Sequence, residues 1–108
     1  MDIQMKRGLL DVCVLASIKY EDSYGYKIIK DIKPYLTISE STLYPILRRL
    51  EAAEMLSEYS VEHNGRLRKY YRITQKGIDR LNAFPEDWEE IKAIYHFVMR
   101  EDNGNDEK

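Results

Sequence analysis

Apolar positions recur at helical spacing through most of the chain, interrupted once by a stretch of strand-like alternation. Between Ile38 and Leu56, Leu43, Ile46, Leu47 and Leu50 stand three and four residues apart, with Ala53 continuing the stripe, which predicts a helix over about 39–54 with one buried side. The opposite side carries Ser41, Tyr44, Pro45 and Arg48, flanked by Thr42 and Arg49. Hydroxyls and guanidinium groups without a carboxylate suit a phosphate-bearing partner; the plainer reading is an amphipathic helix whose polar side is only solvated. Ser39 is a good N-cap, and Glu40 complements the positive end of the helix dipole. Pro45 removes one backbone hydrogen bond, to the carbonyl near Ser41, and predicts a bent or loosened first turn.

Upstream, residues 3–20 read as a helix that is apolar almost all round from Leu9 to Ile18, so that it is buried on two sides. One side packs on its own domain. The other, with Met5, Gly8 and Val12, calls for a partner. A second helix over 23–33 has Ser23 as its cap, Ile28, Ile29 and Ile32 pointing inward, and Pro34 as its stop. Tyr24, Tyr26, Lys27, Lys30 and Lys33 surround the rest of it. The short connection to the next helix makes the pair a helix-turn-helix.

The alternation occupies 57–73, broken by Asn64-Gly65, which is a strong hairpin signal. A two-residue turn pairs Tyr59 with Tyr70, whereas inward alternation of Tyr71 and Ile73 wants Tyr59 opposite Tyr71, a conflict that a bulge or longer loop would resolve. In either register Arg66, Arg68 and Lys69 lie at or near the tip, as candidate clamps on a nucleic-acid backbone.

Thr74 caps a last helical region over 75–101, kinked or broken near Pro85. Leu81, Phe84, Trp88, Ile91, Tyr95 and Val98 form a seam at alternating three- and four-residue spacing, widened by Ile94 and Phe97. A domain this small has too little of its own surface to cover that seam, so a homodimer is the economical solution. The tail 102–108 is polar and expected to be disordered.

Composition narrows the function. The 108 residues suit one small domain with an arm. No apolar run approaches the roughly 20 residues needed to span a bilayer, and the start has no signal-peptide core, which points to a cytoplasmic protein. The lone Cys13 excludes an intrachain disulfide, and His63 and His96 stand far apart, so no metal or other cofactor is expected. No phosphate-binding glycine loop, nucleophile elbow or catalytic triad can be assembled, which argues against an enzyme. The net charge of −2 hides an asymmetry: residues 1–81 hold 14 basic and 11 acidic side chains, whereas 82–108 hold 3 and 8. A basic body and an acidic arm suit a protein that meets nucleic acid, here double-stranded DNA, with the body as its working surface and keeps the arm off it.

Helix, helix-turn-helix, hairpin and long terminal helix is the order of a mainly α winged helix-turn-helix with a small β-hairpin. Within it, Tyr24-Gly25-Tyr26, Thr42-Leu43-Tyr44-Pro45, Arg49-Leu50-Glu51 and the run Arg68-Lys69-Tyr70-Tyr71-Arg72-Ile73-Thr74 followed by Gly77 resemble the PadR family of bacterial transcription factors. The resemblance implies a dimeric repressor that inserts its third helix in the major groove and lays its wing along the backbone. It implicates Ser39, Ser41, Thr42 and Tyr44 in the groove, with Tyr24, Arg66, Arg68 and Lys69 on phosphates; Tyr26 and Arg48 join them from the residue reading above. Three positions depart from the family pattern: Glu54 replaces the usual helix-ending glycine, Leu67 a frequent proline, and Pro85 an ordinary helical residue. The position of Trp88 is similar to that of a tryptophan in a multidrug-responsive member, implying a planar aromatic effector held at the dimer interface by Trp88 with Met5, Gly8 and Val12. Two rivals remain: a winged helix that binds protein rather than DNA, and a ligand-binding dimer.

Overall fold

The computed structural model describes the backbone of residues 3–101 and the side chains from residue 6 onward. The tail 102–108 and the side chain of Met5 lie outside the described residues. Five helices and one hairpin follow in the order α1 (Ile3–Ser17), α2 (Gly25–Ile32), α3 (Glu40–Ala52), β1 (Leu56–His63), β2 (Arg66–Ile73), α4 (Gln75–Asn82) and α5 (Phe84–Val98). The core is the meeting of three helical stripes: Leu10, Val14, Leu15 and Ile18 of α1, Ile28 and Ile32 of α2, and Leu43, Ile46, Leu47 and Leu50 of α3. Leu56 and Tyr71 close it from the hairpin side.

α1 stops at Ser17, before the residues up to Tyr20 that its apolar pattern had included, and the Ser17 hydroxyl donates to the Val14 carbonyl in its last turn. Val12 was expected on an uncovered side of α1. It is instead only 6 % exposed, because α4 packs back onto α1. Ser23 also departs from its expected role. α2 begins at Gly25 with Tyr24 in the cap position and no side-chain cap, while Ser23 is sealed in the interior as a one-residue strand whose N–H and carbonyl pair with the backbone of Tyr71 at 3.2 and 2.7 Å. This bridge joins the wing to the helical body through main chain, which explains why a small, buried residue stands there.

α3 runs unbroken through Pro45, so the expected loosening does not interrupt it. The carbonyl that Pro45 fails to bond belongs to exposed Ser41, where water can satisfy it. At the other end, the N–H of Glu54 reaches the Glu51 carbonyl and that of Met55 the Leu50 carbonyl, both at 2.9 Å, which is the Schellman pattern. Glu54 occupies the left-handed position of that motif at φ 64°, where glycine would be unstrained.

The hairpin takes the tight turn, with Asn64 and Gly65 both at positive φ and His63 opposite Arg66. Tyr59 therefore faces Tyr70, and Glu58 faces Tyr71 on the core side. No bulge is needed, because the residue placed awkwardly, Glu58, sits at the rim beside Lys69 at 3.6 Å. Beyond the wing the Thr74 hydroxyl accepts from Gly77 N–H, capping α4, and donates to the Glu54 carbonyl at 2.7 Å. The chain then turns at Ala83 and restarts as α5 with Pro85 in its first turn. α5 has no buried residue, and the molecule is elongated, 69 Å in its longest dimension against 26 and 21 Å in the others.

Candidate nucleic-acid interface

The burial of Leu43, Ile46, Leu47 and Leu50 fixes the rotation of α3, and with it the side chains that face outward. Ser41, Pro45 and Arg48 form the exposed crest. On one flank Tyr44, Arg48 and Glu51 look toward the wing; on the other Thr42, Pro45 and Arg49 look toward α1. At the N-terminal end the Ser39 hydroxyl accepts from the Thr42 N–H at 3.3 Å and is hydrogen-bonded to the hydroxyls of Ser41 at 2.9 Å and Thr42 at 3.2 Å. The three hydroxyls form one exposed cluster at the positive end of the helix dipole, which can accept from or donate to an anionic or base-edge partner.

A groove of about 830 Å³ separates the first turns of α2 and α3 from the wing. Tyr24, Tyr26, Tyr44, Arg66, Arg68 and Lys69 line it, so six of the sequence-derived candidates share one concavity; Glu40 is its only carboxylate lining. Tyr44 is wedged over Gly25, and Tyr26 stands out into solvent. Arg48 instead borders a neighbouring hollow with Tyr44, Glu51, Glu58 and Lys69. The Lys69 ammonium lies 3.6 Å from Glu58, which tempers its charge and holds it toward α3. Arg66 makes no such ion pair within 4.0 Å among the described residues.

Sequence reading missed the outer face of the wing. There the Arg68 guanidinium stacks on Tyr24 at 4.3 Å, Tyr24 packs on Tyr70 at 5.4 Å, Tyr70 on Tyr59 at 5.7 Å, and Arg72 closes the row over Tyr59 at 5.0 Å. Asp22 anchors the far end, accepting from the Tyr59 hydroxyl at 2.6 Å and from Arg72 Nε at 3.1 Å. The hydrogen bond to Asp22 pushes the Tyr59 phenol above its ordinary pKa. The row packs the wing against the start of α2 and stacks the Arg68 guanidinium on Tyr24. The signal was present in the alternation of Tyr59, Tyr70 and Arg72, but only the tight-turn register puts these residues on one face.

The proposed effector residues are more dispersed in their surroundings. Trp88 is 49 % exposed on α5, and a Cβ at Gly8 would have open space around it, whereas Val12 is buried. Ile91, Ile94, Tyr95, Phe97 and Val98 are likewise exposed along α5, while Leu81 and Phe84 are half-buried near its root. Among the described residues no group of three or more His, Cys, Asp or Glu side chains converges to hold a metal, and no helix is long and apolar enough to cross a membrane.

A helix-turn-helix followed by a two-stranded wing, with cations on the wing beside an exposed helix crest, defines a winged-helix regulator. The model of the transcriptional regulator PadR-like family matches residues 14–83, and the chain belongs to that family. It is thus a transcriptional regulator and not an enzyme. A protein of unassigned function from Lysinibacillus sphaericus is 38 % identical over 98 residues, covering 86 % of this chain and 90 % of its own. A transcriptional regulator from Clostridium thermocellum superposes with a TM-score of 0.80 at 33 % identity, covering 93 % of this chain and 99 % of the other. The Bacillus subtilis PadR in complex with operator DNA shares the fold, with a TM-score of 0.67 at 20 % identity over 70 % of this chain and 46 % of that one.

Proposed function

We propose that the protein represses transcription by binding a specific operator as a homodimer. The observation that carries this reading is the juxtaposition of the α3 crest with the groove to the wing: hydroxyls and Arg48 exposed on a helix of a width that fits a major groove, and Arg66 and Arg68 lining the groove beside it. The Bacillus subtilis PadR, built on the same fold, is held on operator DNA, which supports the same use here. In this reading Ser39, Ser41, Thr42 and Tyr44 read bases, and Tyr24, Tyr26, Arg66, Arg68 and Lys69 grip the backbone.

The dimer rests on α5. Trp88, Ile91, Tyr95 and Val98 are all exposed on one side of a helix that, among the described residues, packs chiefly on α4, and a second copy laid along it removes that apolar surface from water. Two α3 helices in successive major grooves then sit about 34 Å apart, so the operator is an inverted repeat. A planar hydrophobic effector stacking on Trp88 beside Gly8 would release the DNA by favouring a dimer with the wrong helix spacing, which requires it to bind the two states unequally.

The test is selection of genomic fragments by the purified protein, followed by anisotropy titration on the selected site and on random duplex. The reading predicts selective binding whose affinity falls steeply with salt. Equal affinity for all sequences, or none for any, would refute it. Quenching of Trp88 emission by planar aromatic dyes tests the effector site; no quenching across a broad panel would remove it.

A further inference from the structure

On the side of α3 away from the wing, a slot of about 230 Å³ lies between this helix and the start of α1. Lys6 and Arg7 form its α1 wall; Thr42, Pro45 and Arg49, at helical spacings of three and four, form its α3 wall; Leu10 and Ile46 lie at its floor. Arg49 is ion-paired with Asp11, one turn along α1 from Arg7, so the two helices are pinned together where the slot lies. The recognition helix thus has cations on both flanks: those of the wing on one, and Lys6 and Arg7 on the other.

That arrangement matches the geometry of a duplex. A helix with its side chains is about 10–12 Å across, and the major groove about 12 Å wide, so a helix seated in it has one phosphate strand along each side. The wing serves one strand. We propose that Lys6 and Arg7 bind the phosphates of the other, with Arg49 as the positioning residue that holds α1 at the required distance through Asp11. This inference rests on the DNA-binding reading above and adds a second backbone contact to it. The slot has a lining suited to a phosphodiester, with ammonium and guanidinium groups for the oxygens, the Thr42 hydroxyl at its edge, and the exposed apolar ring of Pro45 for the sugar face. Nothing in the sequence marks it, because Lys6 and Arg7 stand more than thirty residues from α3.

Phosphate-ethylation interference on the selected operator, with the full-length protein, provides the test. Wild-type protein should show two clusters of sensitive phosphates per half-site, one on each side of the major groove. The double variant Lys6→Gln/Arg7→Gln should lose the cluster far from the wing and keep the other; Arg66→Gln/Arg68→Gln should do the reverse. The first variant should also flatten the salt dependence, log K against log salt, by about two per half-site, one for each cation removed. Lys19→Gln, which removes one cation beyond the other end of α1, should change neither. Persistence of the wing cluster in the first variant shows that its fold is intact. Both clusters and the slope unchanged in that variant, or an equal loss with Lys19→Gln, would overturn the inference while leaving the DNA-binding reading in place. Absence of any duplex binding by wild-type protein would overturn both.

Discussion

The phenol oxygen of Tyr44 is packed so closely over Gly25 that a Cβ there would come within 2.7 Å of it. The first residue of α2 thus sets where a side chain on α3 can stand. A methyl group at residue 25 would displace the far end of a flexible ring rather than backbone. Gly25→Ala should therefore fold with a stability change within about 1 kcal/mol, since the gain in helix propensity offsets part of the repacking. If Tyr44 reads bases, the same substitution should reduce discrimination between operator and random duplex. Chemical denaturation and paired anisotropy titrations check the two halves, and unchanged discrimination would take Tyr44 out of the groove.

The proximity of Lys69 to Glu58 makes the wing cations unequal. Arg68 is held over Tyr24 by stacking and remains available to a phosphate, whereas part of the Lys69 charge is spent on Glu58. Arg68→Ala should weaken binding to all duplexes more than Lys69→Ala does, and Glu58→Gln should strengthen non-specific binding while steepening its salt dependence. A larger loss from Lys69→Ala than from Arg68→Ala would show that the ion pair opens on DNA.

Two backbone positions near the end of α3 predict stability changes of opposite sign. A Cβ at Gly77 would fall inside the van der Waals envelope of the Met55 carbonyl oxygen, a main-chain atom fixed by its hydrogen bond from Thr74 N–H. Gly77→Ala should cost about 3 kcal/mol or more, because neither partner can yield without moving the wing. Glu54, left-handed at the close of α3, should behave in the contrary way: Glu54→Gly should stabilise by about 1 kcal/mol and leave DNA affinity alone. Urea midpoints of both variants measure this, and destabilisation by Glu54→Gly would mean its side chain holds a contact worth more than the strain.

Burial pushes the Tyr71 phenol up to about 12, from an ordinary value of 10.0. A folded-state pKa above the unfolded one means that the folded protein keeps its proton where the unfolded chain has lost it. The resulting stabilisation is complete below pH 10 and is lost as pH rises toward 12. Tyr59, raised by its hydrogen bond to Asp22, acts in the same direction. Stability should therefore decline across this alkaline window, and Tyr71→Phe should remove most of the decline. An unchanged decline in Tyr71→Phe would assign it to other groups.

These particulars show what the sequence could and could not convey. The stripe Leu43, Ile46, Leu47, Leu50 predicts its own burial, and Asn64-Gly65 its own turn, because both signals are local. Ser23 was misleading, since a serine ahead of a helix looks like a cap whether or not its backbone has been recruited by a distant strand. Val12 looked uncovered because the return of α4 onto α1 is set by the turn at Thr74, sixty residues away. The hairpin register was undecidable from alternation alone, as the inward place of Glu58 is tolerable only with Lys69 beside it. Arg66 and Arg68 were legible as a cluster, whereas the slot formed by Lys6 and Arg7 with Arg49 exists only once α1 and α3 are packed together.

The number of chains bound to one selected operator duplex, measured by native mass spectrometry or sedimentation at saturating protein, tests most directly whether paired α5 helices present two recognition helices to DNA. Two chains per duplex, with protected half-sites about 34 Å apart, are predicted. A single chain per duplex at saturation would contradict the account.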